Sequence, residues 1–324
     1  MVKAIRIHEH GGPKALKWEE VTLADPAQGE IRVRTGAAGL NFIDVYHRAG
    51  VYPVPGLPIT LGYEGAGVVE AVGPGVTDFK EGDRVAYVDP LGAYAEARNM
   101  PADRAVPLPD AIDDQTAAAM MLKGLTAQYL LRRTHRVEPG ETILIHAAAG
   151  GVGLIACQWA KALGATVIGT VGTEEKADLA RAHGCDHPII YTKENFAERV
   201  REITGGKGVP VVYDSVGKST FEGSLDCLSP LGLMVSYGNA TGLVPPVDPG
   251  LLTAKGALFF TRPSLFVYMK KREDLLNASA ELFDMVTSGK VNIEVNQTWA
   301  LSDTAEAHAA LEARKTTGST VLLP

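Results

Sequence analysis

The hydrophobic rhythm of the chain changes twice. From Met1 to about Leu122, apolar and polar residues alternate in short runs: IRVRTGAAGL (31–40), GAGVVEAVG (65–73) and DRVAYV (83–88). A period of two places successive side chains on opposite faces of a strand. Turn signals at Gly11-Gly12-Pro13, Gly73-Pro74-Gly75 and Glu81-Gly82-Asp83 separate the runs. The pattern predicts an irregular β domain.

From about Lys123 to Arg262, short apolar runs alternate with helical stretches. Strands are expected at TILIH (142–146), ATVIGT (165–170), PIIY (188–191), VPVVYD (209–214), LMVSYG (233–238) and ALFFT (257–261). Helices are expected at 151–163, 174–183, 195–203 and 220–227. Such alternation predicts a doubly wound parallel sheet in the dinucleotide-binding order. After Arg262 comes a helix at 272–288, and a second helix at 304–314 lies between β-like NQTWAL (296–301) and STVLLP (319–324). These pieces are too small to fold alone, so they are expected to rejoin the first domain. The predicted plan is α/β: a β-rich catalytic domain at 1–122 completed by 265–324, and a cofactor domain at 123–264.

Composition adds limits to this plan. A chain of 324 residues, 46% hydrophobic and 21% charged, suits two globular domains. The opening MVKAIRIHEHGG lacks the apolar core of a signal peptide, and no run is long enough to span a membrane. A cytoplasmic location is expected. Cys157, Cys185 and Cys227 are far apart and odd in number, which implies neither a disulfide framework nor a metal knuckle. A net charge of −7 argues against nucleic acid as a partner.

The strongest motif is HAAAGGVG (146–153), between a predicted strand and a predicted helix. It fits G-x-G-x-x-G with Ala148 in the first position and Gly150 and Gly153 in the others. The backbone of Ala148, Gly150, Gly151 and Val152 would face a pyrophosphate at a helix N-terminus. The second strand of the sheet ends in Thr170-Val171-Gly172-Thr173, without the acid that accepts hydrogen bonds from the adenosine ribose in NAD enzymes. Lys176 could supply a cation to a 2′-phosphate, and Thr173 and Tyr191 could supply hydroxyls. This favours NADPH over NADH; Lys176 as a solvated surface lysine is the alternative, and Glu174 and Glu175 oppose a phosphate unless they point away. Ser215 and the pair Gly238-Asn239 lie at carboxyl ends of predicted strands, where ligands bind in such sheets.

The segments GLNFIDVYHRAGVYP (39–53), LGYEGAGVV (61–69), LKGLTAQYLL (122–131), the glycine turn with its following helix and strand (146–173), VVYDSVG (211–217) and TRPSL (261–265) together carry a family resemblance. The chain resembles bacterial quinone oxidoreductases, zinc-free relatives of zeta-crystallin in the medium-chain dehydrogenase/reductase superfamily. The resemblance implies a GroES-like first domain, a Rossmann cofactor domain, a homodimer, and NADPH-dependent reduction of a quinone.

In zinc-dependent members of the superfamily a Cys and a His from the first domain ligate the catalytic metal. By resemblance, Asn41 stands at the Cys position and Tyr63 at the His position, and no cysteine precedes Cys157. Zinc prefers thiolate and imidazole, so a metal-free enzyme is expected. Without that Lewis acid, a quinone or conjugated enone suits hydride transfer better than an alcohol does. The resemblance also turns the segment with Asn41, Asp44, Tyr46 and Tyr52 toward the nicotinamide. Asn41 would bond the nicotinamide ribose or the acceptor oxygen. Tyr46 and Tyr52 would offer hydroxyls and aromatic faces to the acceptor, or simply pack half-buried. Asp44 would act on substrate or cap its neighbours. Thr126 would contact nicotinamide ribose or phosphate, or be a helix-surface threonine. Arg262 and Arg314 would reach cofactor phosphate or be solvated. Whether the acceptor takes one electron or two, and whether Tyr46, Tyr52 or water supplies the proton, stays open. The alternatives are an NADPH-dependent reductase of conjugated enones or alkenals and, in a different class, a non-catalytic crystallin-like or RNA-binding protein.

Overall fold

A computed structural model of the chain describes residues 1–324. Along the first third run β1 (Val2–Ile7), β2 (Lys17–Val21), β3 (Glu30–Leu40), α1 (Phe42–Arg48), β4 (Ile59–Thr60), β5 (Glu64–Val72), β6 (Arg84–Tyr87), β7 (Ala97–Pro101) and β8 (Ala105–Pro107). The long helix α2 (Asp114–Tyr129) follows. Next come β9 (Thr142–Ile145), α3 (Gly151–Ala162), β10 (Thr166–Val171), α4 (Glu174–Ala182), β11 (His187–Ile190), α5 (Phe196–Ile203), β12 (Val209–Asp214), α6 (Phe221–Cys227), β13 (Leu228–Ser236), α7 (Pro249–Ala254) and β14 (Phe259–Thr261). The chain closes with α8 (Leu265–Tyr268), α9 (Arg272–Thr287), β15 (Val295–Ala300), α10 (Thr304–Glu312) and β16 (Ser319–Leu323).

Two compact units result. One comprises residues 1–123, 269–287 and 293–324; the other comprises 124–268 and 288–292. The short 288–292 segment belongs with the second unit, where Gln158 and Asn292 exchange two hydrogen bonds of 3.0 and 2.8 Å.

In the first unit, β2-β1-β4 form a small sheet and β15-β16-β3-β5-β6-β8 a larger one, with β7 also on β3. The alternation read in 31–40 is visible in β3, where Ile31 and Val33 are buried and Arg34 is exposed. Strand β16 lies antiparallel to β3, Leu322 facing Ala38. Ile5, Ile31, Val69, Tyr87, Met100 and Leu322 belong to one buried cluster here.

The second unit is a six-stranded parallel sheet in the order β11-β10-β9-β12-β13-β14. This is the doubly wound order expected from the strand–helix alternation, and it reverses direction between β9 and β12. Strand β9 is central, with Ile143, Leu144 and Ile145 all buried, as a strand covered on both faces requires. Strand β14 lies at the sheet edge, with Phe259 61% exposed.

Candidate functional site

In the second unit, the carboxyl end of β9 leads directly into the glycine turn. Ala147 takes the left-handed conformation (φ 54°), and Gly150 starts α3 in an extended one. The Gly150 N–H donates to the Ala147 carbonyl at 2.9 Å, closing the turn. A Cβ on Gly153 would stand 2.3 Å from that carbonyl oxygen and 2.7 Å from the Ala148 carbonyl, so only glycine allows this approach of helix to turn. Alanine at 148 is accommodated because the left-handed residue is its neighbour Ala147. No side chain caps α3 and no acid stands in its first turn. Its first N–H groups therefore have no intrahelical partner, and the helix dipole favours an anion beside them. The cradle suits a pyrophosphate.

The end of β10 supplies the next group. Thr173 is the N-cap of α4 and accepts from the Lys176 N–H at 3.3 Å. Its hydroxyl also bonds the Glu175 carboxyl and lowers that group's pKa. Glu174 is drawn 2.6 Å from Lys193. Both acids that opposed a phosphate site thus have other partners. Lys176 is half-buried, and a Cβ on Gly172 would meet the Tyr191 hydroxyl at 2.9 Å. These four residues share one corner of the sheet edge.

The loops after β12 and β13 press backbone to backbone. A Cβ on Gly238 would lie 2.4 Å from the Ser215 carbonyl oxygen, and the Ala240 N–H donates to that oxygen at 3.2 Å. Asn239 lies in the same half-buried loop. Arg262 is exposed and donates to the Ser236 carbonyl at 2.8 Å, across the ends of β13 and β14. Thr126 is 6% exposed, which rules out the helix-surface alternative for it. Arg314 is not in this unit; it is exposed beyond α10, in the left-handed conformation (φ 58°).

The first unit carries the aromatic segment. Asn41 caps α1 through a reciprocal box: its side chain accepts from the Asp44 N–H, and the Asp44 carboxylate accepts from the Asn41 N–H at 2.9 Å. The spacing of Asn41 and Asp44 is that of such a box. Asn41 Nδ2 donates to Glu64 Oε1 at 2.8 Å and to the Gly39 carbonyl at 3.4 Å. Both amide hydrogens are therefore directed inward. Glu64 Oε1 also accepts from Lys123 Nζ at 2.6 Å, and the Leu122 N–H donates to its other oxygen.

Asp44 is fully buried, and its Oδ2 accepts from the Tyr94 hydroxyl at 2.7 Å while Oδ1 has no partner. Burial dominates the two hydrogen bonds and raises this carboxyl to about 7. Tyr63 bonds His47 Nε2 through its hydroxyl at 3.1 Å. Desolvation lowers the pKa of His47, favouring a neutral imidazole. Tyr46 lies on α1 and Tyr52 just past it, both half-buried, with ring centroids 5.1 Å apart in an edge arrangement. His47 packs edge-on against Tyr52 at 5.7 Å. Glu64, Lys123 and His47 were missed from the sequence. Glu64 and Lys123 meet across 59 positions, which no local pattern encodes.

No group of three or more His, Cys, Asp or Glu residues could hold a metal ion, and no helix is long and apolar enough to cross a membrane.

Two family models match separate stretches of the chain, the second running past Tyr268 into residues of the first unit. Residues 27–110 match the family model "Alcohol dehydrogenase GroES-like domain", and 151–278 match "Zinc-binding dehydrogenase". A quinone oxidoreductase of Pseudomonas aeruginosa is 57% identical, with both chains covered in full. A 2-haloacrylate reductase of a Burkholderia species is 51% identical over 100% of this chain and 99% of its own. The crystal structure of Escherichia coli quinone oxidoreductase complexed with NADPH superposes with a TM-score of 0.98 at 54% identity, covering 99% of this chain and 100% of that one.

Proposed function

The chain belongs to the quinone oxidoreductase family of medium-chain dehydrogenases/reductases, and from that premise we propose that it reduces quinones with NADPH in the cytoplasm, as a zinc-free homodimer. The observation that carries the reading is the glycine turn at the end of the central strand, whose Gly153 leaves no room for a Cβ and whose helix is uncapped. NADPH, when bound, supplies the reducing equivalents.

The chain's own residues bind and orient. Backbone N–H groups of Ala148, Gly150, Gly151 and Val152 hold the pyrophosphate. Gly172, Thr173, Lys176 and Tyr191 take the adenosine ribose and its 2′-phosphate, Lys176 providing the cation. Ser215, Gly238, Asn239, Thr126 and Arg262 serve the remainder of the cofactor, and Arg314 a phosphate. Tyr46 and Tyr52 present hydroxyls and ring edges to a planar acceptor. Asn41 fixes the start of the helix that carries Tyr46, since both its amide hydrogens are already donated. The absence of zinc is supported by donor chemistry: an amide that donates to Glu64 and a phenol that bonds His47 replace thiolate and imidazole. The homodimer is supported by edge strand β14, whose exposed Phe259 would be covered by a two-fold partner. The cytoplasmic location is supported by three cysteines that are all buried free thiols.

A second reading is favoured by the 2-haloacrylate reductase relative: reduction of an activated alkene at the same site. One experiment separates the two. NADPH is titrated into the protein, and turnover is then measured on a panel of quinones, enones and 2-haloacrylates. Quinones as the best acceptors by kcat/KM support the proposal. Activated alkenes as the best acceptors establish the second reading, and no NADPH binding refutes both.

A further inference from the structure

A chain of buried hydrogen bonds runs beneath the glycine turn and links three strands of the parallel sheet. His146, the residue after β9, is fully buried. Its Nδ1 lies 2.8 Å from Thr170 Oγ1 on β10, and its Nε2 lies 2.9 Å from Ser224 Oγ on α6. Ser224 Oγ is 2.9 Å from Asp214 Oδ2 at the end of β12. At the other end, the Ala147 N–H donates to Thr170 Oγ1 at 3.4 Å.

The contacts fit one consistent direction for the protons along this chain. Asp214 is surrounded by donors: the N–H groups of Val216 and Gly217 on Oδ1, and the hydroxyls of Thr220 and Ser224 on Oδ2. The two backbone N–H groups can only donate, and the Thr220 hydroxyl is shared between Oδ2 and the Gly217 carbonyl, so the carboxyl is placed as the acceptor at this end of the chain. Ser224 must therefore spend its hydrogen on Asp214 and receive one from His146 Nε2. That leaves Nδ1 as a lone pair, which takes the Thr170 hydrogen. The Thr170 oxygen is then a pure acceptor toward the Ala147 N–H. Burial pushes the pKa of His146 down and so supports the neutral ring this scheme needs, despite the nearby Asp214 charge. His146 also packs edge-on against Phe196 with centroids 5.0 Å apart, which restricts ring rotation.

Ala147 is one of four non-glycine residues with positive φ in the chain. The left-handed region is unfavourable for alanine because its Cβ crowds the backbone, so something must secure it. Its carbonyl receives Gly150, and its N–H is received by Thr170. The same relay ends on Asp214, whose Oδ1 pins the backbone of the loop after β12. Two loops assigned above to the cofactor are thus joined through one histidine.

We propose that His146 is a positioning residue for NADPH: as the Nε2–H tautomer it transmits the Asp214 carboxylate, through Ser224 and Thr170, to the strained Ala147 that sets the phosphate-binding turn. His146 touches neither cofactor nor acceptor in this role. The inference rests on the NADPH reading given above.

The test uses the full-length protein and NADPH as probe. Wild type is titrated first by fluorescence; if it does not bind, the NADPH reading itself fails. If it binds, three variants are compared with it. Thr170→Val keeps the side-chain shape but removes the hydroxyl, and should weaken NADPH binding about tenfold, the scale of one buried hydrogen bond and its orphaned partner. The loss should fall on KM for NADPH far more than on kcat. Thr170→Ser restores the hydroxyl and should recover most of the affinity, which a loss of packing alone would not allow. Ser224→Ala, at the far side of the histidine, should also weaken binding several-fold. If Thr170→Val does not fold, Ser224→Ala decides the matter alone. Unchanged NADPH affinity in Ser224→Ala, or a serine variant no tighter than the valine one, overturns the relay while leaving the NADPH reading intact.

Discussion

Lys123 Nζ lies 2.6 Å from Glu64 Oε1, and both side chains are withdrawn from water, with 6% and 0% exposure. The pair is completed by Asn41 Nδ2 on the same carboxylate oxygen and by the Leu122 N–H on the other. The Lys123 ammonium therefore faces the Glu64 carboxylate directly beside Asn41, the N-cap of α1. Such a pair is held by its completeness: desolvation offsets most of the Coulomb attraction, yet removing one partner strands a buried charge.

Lys123→Met should therefore lower the melting temperature on the order of 10 °C, from the roughly 3–5 kcal/mol lost when a buried pair is broken in a domain of this size. The double variant with Glu64→Gln should melt well above the single one, because no unpaired charge remains. Thermal melts of the single and double variants check this. If both melt at the same temperature, the pair is not the coupled unit the geometry describes.

The sheet of the second unit was legible because its signals are local. Each strand is a short apolar run bounded by a turn residue, and Asn195 and Thr173 announce helix starts that the structure shows as side-chain caps. Boundaries moved where backbone conformation overrode composition. Strand β13 begins at Leu228, five residues before the apolar run at 233, because Leu228 already pairs with Val209; the left-handed Leu231 (φ 61°) lies where the register then shifts. Strand β14 begins only at Phe259, because Ala257 is left-handed (φ 54°). The strand–turn–helix form of the glycine turn was legible, and capping was one of the roles expected of Asp44; Asn41, expected at the nicotinamide ribose or the acceptor oxygen, stands as the N-cap of α1 with its amide on Glu64 and the Gly39 carbonyl. Contacts such as Glu64 with Lys123, or His146 with Ser224, depend on the tertiary fold and leave no trace in spacing.

Asp44 gives the protein a pH-dependent term of definite sign. Its folded pKa is raised to about 7, chiefly by burial, while an unfolded Asp titrates near about 4. Below about 4 both states are protonated and the folded state keeps its full advantage. As pH rises toward about 7 the unfolded chain ionises first, so this stability is lost, and above about 7 the loss is complete. Asp44→Asn can still accept from Tyr94 and from the Asn41 N–H but cannot ionise. Relative to that variant, wild type should lose several degrees of melting temperature between pH 5 and pH 8, on the scale of about 2–4 °C per kcal/mol. Melts of both proteins across that range check it, and parallel curves would refute the assignment.

Cofactor choice should depend on Lys176. It is half-buried beside Thr173 and Gly172, and the neighbouring acids Glu174 and Glu175 are held by Lys193 and Thr173. Lys176→Ala should weaken NADPH binding about tenfold, the scale of one charge-assisted contact, while leaving NADH binding nearly unchanged. Parallel titrations with the two cofactors measure the ratio. An unchanged NADPH-to-NADH preference would show that Lys176 is a surface lysine and that selectivity lies elsewhere.

Tyr46 and Tyr52 offer the most direct test of the acceptor face. The rings meet edge to face at 5.1 Å, and each is half-buried. Phe42 lies 6.3 Å from Tyr46 on one side, and His47 lies 5.7 Å from Tyr52 on the other. Each ring thus has a packing role and a wet side, so truncation alone would mix two effects. The phenylalanine variants separate them, because they keep the ring and remove only the hydroxyl. If the hydroxyls orient the acceptor where charge develops, Tyr46→Phe or Tyr52→Phe should lower quinone turnover by up to about a hundredfold, with melting temperature nearly constant. The alanine variants should lose the same turnover and also melt earlier, since an aromatic contact worth about 0.5–1.5 kcal/mol disappears. NADPH affinity should stay close to wild type in all four. Turnover per folded molecule, melting temperature and NADPH affinity on the same samples decide the outcome. Phenylalanine variants with full quinone turnover would mean that the two tyrosines serve only to pack α1, and the acceptor face would have to be sought among other residues.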